Sequence, residues 1–97
     1  MRILEQEEIS RHLADHPEWS GDAEALTREF AARDFPTAID LVDKVAVAAE
    51  KLNHHPDIDI RWRTVRFRVS THSAGGVTDL DLQLARQIDA LIADTPA

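Results

Sequence analysis

Between positions 57 and 70 the apolar residues of this chain change parity. Ile58, Ile60 and Trp62 occupy even positions, and then Val65, Phe67 and Val69 occupy odd ones. Alternation of this kind marks strands with one buried face, because successive side chains point to opposite sides of the pleat. A two-residue reversal between two such runs returns the chain with the same face still inward. With Arg63-Thr64 as the loop, Trp62 stands opposite Val65, Ile60 opposite Phe67 and Ile58 opposite Val69. On the other face Asp59 meets Arg68, and Arg61 meets Arg66. An isolated hairpin is marginal in water, so other segments must cover its apolar face.

The flanking sequence supplies them. Residues 5–15 read as a short helix: Ile9 and Leu13 are four apart, Glu5, Glu7 and Glu8 suit the positive end of the helix dipole, and Pro17 stops it. Trp19-Ser20-Gly21-Asp22 reads as a strand end entering a turn, followed by a strand near residues 25–32 whose alternation is poor. Asp34 is placed to cap a helix with Pro36 near its start. Ala38, Val42, Val45, Ala49 and Leu52 form the apolar face of that helix, and Asp40 and Lys44 pair on the other side. Asn53 suits its C-terminus and Pro56 prevents its resumption. After a loop over residues 71–77, Thr78 caps a last helix with the stripe Leu80, Leu84, Ile88, Leu91 and Ile92. Asp81 stands at its third position, as in a capping box. The order α-β-β-α-β-β-α predicts an α+β fold, a four-stranded antiparallel sheet with three helices packed on one face.

Length and composition narrow the function. A chain of 97 residues fits one domain, taken as 1–97. The absence of cysteine excludes disulfides, thiol nucleophiles, iron–sulfur clusters and thiolate zinc sites. A net charge of −7 argues against a direct nucleic-acid or anionic-membrane binder. No apolar run reaches membrane-spanning length, and acidic residues follow Met1-Arg2-Ile3-Leu4 too soon for a secretion signal. The expected location is cytoplasmic.

Three of the five histidines fall between positions 54 and 72. His54-His55-Pro56 follows the second helix, His72 follows the second hairpin strand, and Asp81 opens the last helix. Because the outer ends of a hairpin meet, His54, His55 and His72 converge near that helix start. Imidazoles serve as acid or base near neutral pH, and a helix C-terminus favours the protonated ring. The same residues have structural readings. A histidine after a helix can simply cap carbonyls, adjacent histidines point in different directions, and Asp81 can be only a capping carboxylate. Gly75-Gly76 reads as a turn needing positive φ. Arg61, Arg63, Arg66 and Arg68 read as a solvated face, and His12 and His16 as surface residues without partners. Three histidines and an aspartate could hold zinc, but His54-His55 lacks the i,i+4 spacing of the usual helical pair. Ser73 beside His72 has no nucleophile-elbow context.

Glu50-Lys51-Leu52-Asn53-His54-His55-Pro56, then Thr71-His72-Ser73-Ala74-Gly75-Gly76-Val77-Thr78, then Asp81, resembles the pterin-4a-carbinolamine dehydratase family. The resemblance covers nearly the whole chain, from Glu7-Glu8-Ile9 and Pro17-Glu18-Trp19 through Asp34-Phe35 to the last helix. It implies a four-stranded antiparallel sheet with helices on one side. It also implies a hydro-lyase that removes water from 4a-hydroxytetrahydropterin, giving quinonoid dihydropterin in tetrahydropterin recycling. By resemblance His54, His55 and His72 are the catalytic set. His54 and His72 take the acid–base roles, and His55 mainly binds and orients the pterin. Glu50, Pro56 and Asp81 bind or orient. No metal and no cofactor is implied. The implied partners are the pterin itself, further copies of the chain in a homodimer or homotetramer, and an aromatic amino-acid hydroxylase in the same pathway. Ile58 stands where relatives often carry an aromatic residue, and Trp62 where tyrosine is common. Some relatives are non-catalytic, acting as dimerisation cofactors or in carboxylase assembly, and that is the alternative function on the same fold.

Overall fold

The computed structural model describes all residues from Met1 to Ala97. The elements in order are α1 (Gln6–Asp15), β1 (Ser20–Gly21), β2 (Leu26–Ala31), α2 (Phe35–Leu52), β3 (Asp57–Arg61), β4 (Thr64–Val69) and α3 (Asp79–Ala93). The strands form one antiparallel sheet in the order β1-β2-β4-β3. The fold is α+β, with the three helices on one face of that sheet, as the sequence predicts. No helix is long and apolar enough to cross a membrane.

Local sequence sets the helix ends. The Asp34 side chain accepts the Thr37 N–H at 2.9 Å, and bonding to Thr37 holds its carboxyl below the usual carboxylate range. Asn53 takes the left-handed conformation, φ 50°, that ends α2. At the start of α1 the Arg2 guanidinium donates to Glu8, whose carboxyl is drawn down to about 2, chiefly by that hydrogen bond. The apolar stripes meet in a single core. Leu41, Val45 and Ala49 of α2, Leu84, Ala85 and Ile88 of α3, and Ile9 of α1 close over Leu26, Val65, Phe67 and Val69 of the sheet. Leu41, absent from the predicted stripe of α2, is fully buried. Each such large side chain contributes roughly 1.5–3 kcal/mol on burial.

The hairpin register differs from the predicted one. Arg61 pairs with Thr64, Ile60 with Val65, Asp59 with Arg66, Ile58 with Phe67 and Asp57 with Arg68. The loop is therefore Trp62-Arg63, two residues away in register from the prediction. Side chains repeat every two residues, so a two-residue shift leaves the same residues on the buried face. It replaces the predicted Arg61–Arg66 opposition with acid–base pairs down the polar face. Trp62 leaves the buried face, sits at φ 54° and is 73% exposed. The loop is tied down by Arg63. Its guanidinium donates to the Ala32 carbonyl at 2.9 Å, the Arg63 carbonyl accepts the Ala32 N–H at 2.9 Å, and the guanidinium lies 5.0 Å from the Trp62 ring centroid.

His12 and His16 are not the solitary surface residues expected. His12 is buried, its ring stacks on His16 at 4.2 Å, and His16 Nδ1 lies 3.2 Å from Asp89 of α3. The reason is tertiary: α1 packs these residues towards α3, which no local pattern reveals.

Candidate active site

Antiparallel pairing of β3 with β4 sets Asp57 against Arg68, so the chain entering β3 lies beside the chain leaving β4. The entering chain carries His54, His55 and Pro56. The leaving chain carries Thr71 and His72, and it turns at once: Thr71 bridges to Gly76, and the Gly75 N–H reaches the Thr71 carbonyl at 2.9 Å. Gly75 takes φ +84°, and a Cβ on Gly76 would lie 2.6 Å from the Ala23 carbonyl oxygen, so this turn needs both glycines. It delivers the chain to Thr78 and the start of α3.

Asp81, in the first turn of α3, is completely buried. One of its oxygens lies 2.5 Å from His54 Nε2. The other accepts the Thr71 hydroxyl at 2.7 Å and the Thr78 backbone N–H at 2.9 Å. The Thr71 and Thr78 hydroxyls are 2.8 Å apart. Asp81 is thus both the helix-capping carboxylate and the partner of a histidine, and the two readings of this residue are compatible. The His54 side chain is 11% exposed, so it is largely but not completely enclosed.

His55 points elsewhere. Its Nε2 pairs with Glu50, one turn earlier on α2, and both side chains are largely exposed. Pro56 lies between this pair and β3. His72 is exposed on the turn and lines a polar recess with Glu24, Arg68, Ser70 and Gly75. The structure therefore joins His54 to Asp81 and His55 to Glu50. No hydrogen bond or ring stack links His72 to either histidine. Nor do three histidine, aspartate or glutamate side chains gather as a metal-holding group. Sequence reasoning missed the roles of Thr71 and Thr78 at this site. A signal for Thr71 was available: it continues the odd parity of Val65, Phe67 and Val69, which places a small polar residue on the core side.

The sequence model described as pterin 4 alpha carbinolamine dehydratase matches residues 2–91. The chain belongs to this family. A relative from Nocardia farcinica, provisionally named a pterin-4-alpha-carbinolamine dehydratase, is 56% identical over 92% of this chain and 94% of its own length. One from Mycobacteroides abscessus with the same provisional name is 48% identical over 95% of this chain and 98% of its own length. Among solved structures, a transcriptional coactivator/pterin dehydratase from Brucella melitensis superposes with a TM-score of 0.89. It shows 35% identity and covers 94% of this chain and 99% of that one. A pterin dehydratase-like RuBisCO assembly factor of the alpha-carboxysome shares the fold at a TM-score of 0.63 and 20% identity, covering 76% of this chain and 86% of that one.

Proposed function

We propose that this protein dehydrates 4a-hydroxytetrahydropterins to quinonoid dihydropterins. The observation that carries the reading is the buried Asp81 carboxylate bound to His54 at 2.5 Å, within a family whose matched description names this activity. In the reaction the C4a–O bond breaks, the hydroxyl leaves as water after taking a proton, and the N5 proton is lost as the C4a–N5 double bond forms. One group must donate at the hydroxyl and another must accept at N5. His54 and His72 take these two roles, His55 paired to Glu50 binds and orients the ring system, and Pro56 fixes the path of the chain between them. Each positioned acid or base is worth about 10²–10⁴-fold in rate. No step calls for a metal or an organic cofactor. The protein would act in tetrahydropterin recycling beside an aromatic amino-acid hydroxylase, as a homodimer or homotetramer. The edge strand β3, unpaired on one side, supports self-association.

The name of the Brucella relative couples a pterin dehydratase with transcriptional coactivation. An interaction role alone would not require a histidine held by a buried carboxylate, so the enzymatic reading is preferred. The test is to supply enzymatically generated 4a-hydroxytetrahydropterin and follow the quinonoid product. The expected result is a rate well above buffer that falls at least about 100-fold in His54→Ala and His72→Ala. A wild-type rate equal to buffer, or one indifferent to both substitutions, refutes the proposal.

A further inference from the structure

We propose that Thr71, acting with Thr78 through Asp81, is a positioning residue that fixes His54 in its Nε2–H tautomer and makes Nδ1 the ring atom that exchanges a proton with substrate. The assignment of Nδ1 to substrate chemistry rests on the dehydratase reading; the tautomer does not.

The argument is a count of protons along the hydrogen bonds. A carboxylate oxygen only accepts. The Thr71 hydroxyl, 2.7 Å from one oxygen of Asp81, must therefore spend its single proton there. The Thr78 hydroxyl, 2.8 Å from the Thr71 oxygen, must then be the donor of that pair. The same Asp81 oxygen receives the Thr78 backbone N–H at 2.9 Å, so two fixed donors occupy it. The remaining oxygen faces His54 Nε2 at 2.5 Å, and the proton between them belongs to the ring nitrogen. The only other bond of the His54 ring, a long 3.5 Å approach to Thr71, also uses Nε2. Nδ1 is left unengaged by protein. Asp81 and Thr78 are fully buried and Thr71 is 6% exposed, so water cannot readily replace a lost donor.

This arrangement makes an unusual demand on Asp81→Asn. The two donors still require an acceptor on their side, so the amide oxygen must turn towards Thr71 and Thr78. Its NH2 then faces His54 and donates to Nε2, which drives the ring into the Nδ1–H tautomer. The histidine would remain in position with the wrong nitrogen protonated.

The experiment is a long-range ¹H–¹⁵N correlation on the histidine-labelled full chain at about pH 8.5, some two units above the ordinary imidazole value, with His54 assigned by loss of its signals in His54→Gln. The wild type should show Nε2–H for His54, and Asp81→Asn should show Nδ1–H. Thr71→Val, which removes a donor at nearly constant shape, should mix the tautomers and lower kcat about tenfold or more with a smaller change in KM. Thr71→Ser should restore both. The proposal is overturned by Nδ1–H in the wild type, by retention of Nε2–H in Asp81→Asn, or by a wild-type spectrum in Thr71→Val. If Thr71→Val does not fold, the wild-type, Thr71→Ser and Asp81→Asn spectra still decide. Because the spectra need no substrate, the expected tautomers in a protein that fails to dehydrate the pterin would refute the dehydratase reading and leave the positioning role standing.

Discussion

Asp89→Ala should be among the most damaging single substitutions in this chain outside the apolar core. Asp89 of α3 ties together three segments. One carboxylate oxygen accepts the Trp19 indole N–H at 2.7 Å and an Arg28 N–H at 2.5 Å, and the other faces His16 at 3.2 Å. Arg28 stands between Leu26 and Phe30 on the core-facing side of β2, with its side chain 13% exposed and that of Asp89 21% exposed. Removing the carboxylate takes the ion-pair partner from a mostly buried guanidinium whose Nε is already without a hydrogen-bond acceptor. Breaking a buried pair from one side costs about 3–5 kcal/mol, and the residual exposure argues for about 3. The Trp19 indole N–H, in a residue only 3% exposed, loses its acceptor for about 1 kcal/mol more. The sum of about 4 kcal/mol is a large part of the roughly 5–15 kcal/mol that holds a small domain together. At about 4–8 °C per kcal/mol for a domain of this size, Tm should fall by roughly 15–30 °C. The assay is urea and thermal denaturation of Asp89→Ala, Arg28→Met and the double variant. Since the second change removes the stranded charge, the double variant should recover about 2 kcal/mol relative to the sum of the singles. A loss below about 1 kcal/mol for Asp89→Ala, or additivity within about 0.5 kcal/mol, refutes the reasoning.

Three further substitutions test other parts of the fold. Burial, with His16 and Arg86 nearby, pushes the His12 imidazole below its usual value against the pull of Asp89 and Asp15, and its Nε2 is buried without a partner. A folded value below the unfolded one means that the neutral ring is the native form. Its contribution is complete above about pH 6.5 and is lost as the pH falls through and below that value. The urea midpoint should therefore drop from pH 7 to 5.5 more steeply in wild type than in His12→Leu, and parallel profiles would count against this. Trp62→Gly should raise stability by roughly 0.5 kcal/mol in urea melts, since relief at φ 54° outweighs the exposed Arg63–Trp62 contact; a loss would mean the contact is the larger effect. Gly76→Ala should cost at least about 1–3 kcal/mol, because its Cβ meets the Ala23 carbonyl at 2.6 Å, and an unchanged Tm would show that the turn can yield.

What could be read in the sequence was what a few neighbouring residues decide. Asp34, Asn53 and Thr78 end or begin helices through partners within four positions, and their placement agrees with the structure. The hairpin was visible in its parity. Its register was not, because registers two residues apart bury the same face, and the choice falls to cross-strand charge and to a loop tied through Arg63. The meeting of His54 with Asp81 followed from the geometry of hairpin ends. The Asp89 junction did not, since its partners are 61 to 73 residues away. Its one local trace was misleading: an arginine at the core-facing position 28 broke the alternation of β2 and made a real strand look poor.

The two aspartate contacts of α3, one buried and one half-buried, also have a joint consequence. Apolar surfaces tolerate small slides, whereas a hydrogen-bonded carboxylate has donors at fixed points. Asp81 pins the start of α3 to Thr71 and to His54 at the end of α2. About two turns further along, Asp89 pins the same helix to Arg28 of β2 and to Trp19 just before β1. Sliding α3 by one turn would leave both sets of donors without acceptors at once, so the two contacts select one placement among several that could bury Leu84 and Ile88. That placement determines where Asp81 stands relative to His54. The Asp89 junction, remote from the histidines, therefore also sets the geometry of the His54–Asp81 pair, on which the proposed proton transfer rests. Partial activity in a folded Asp89→Ala protein should accordingly be accompanied by a disturbed His54 ring signal, rather than by loss of stability alone.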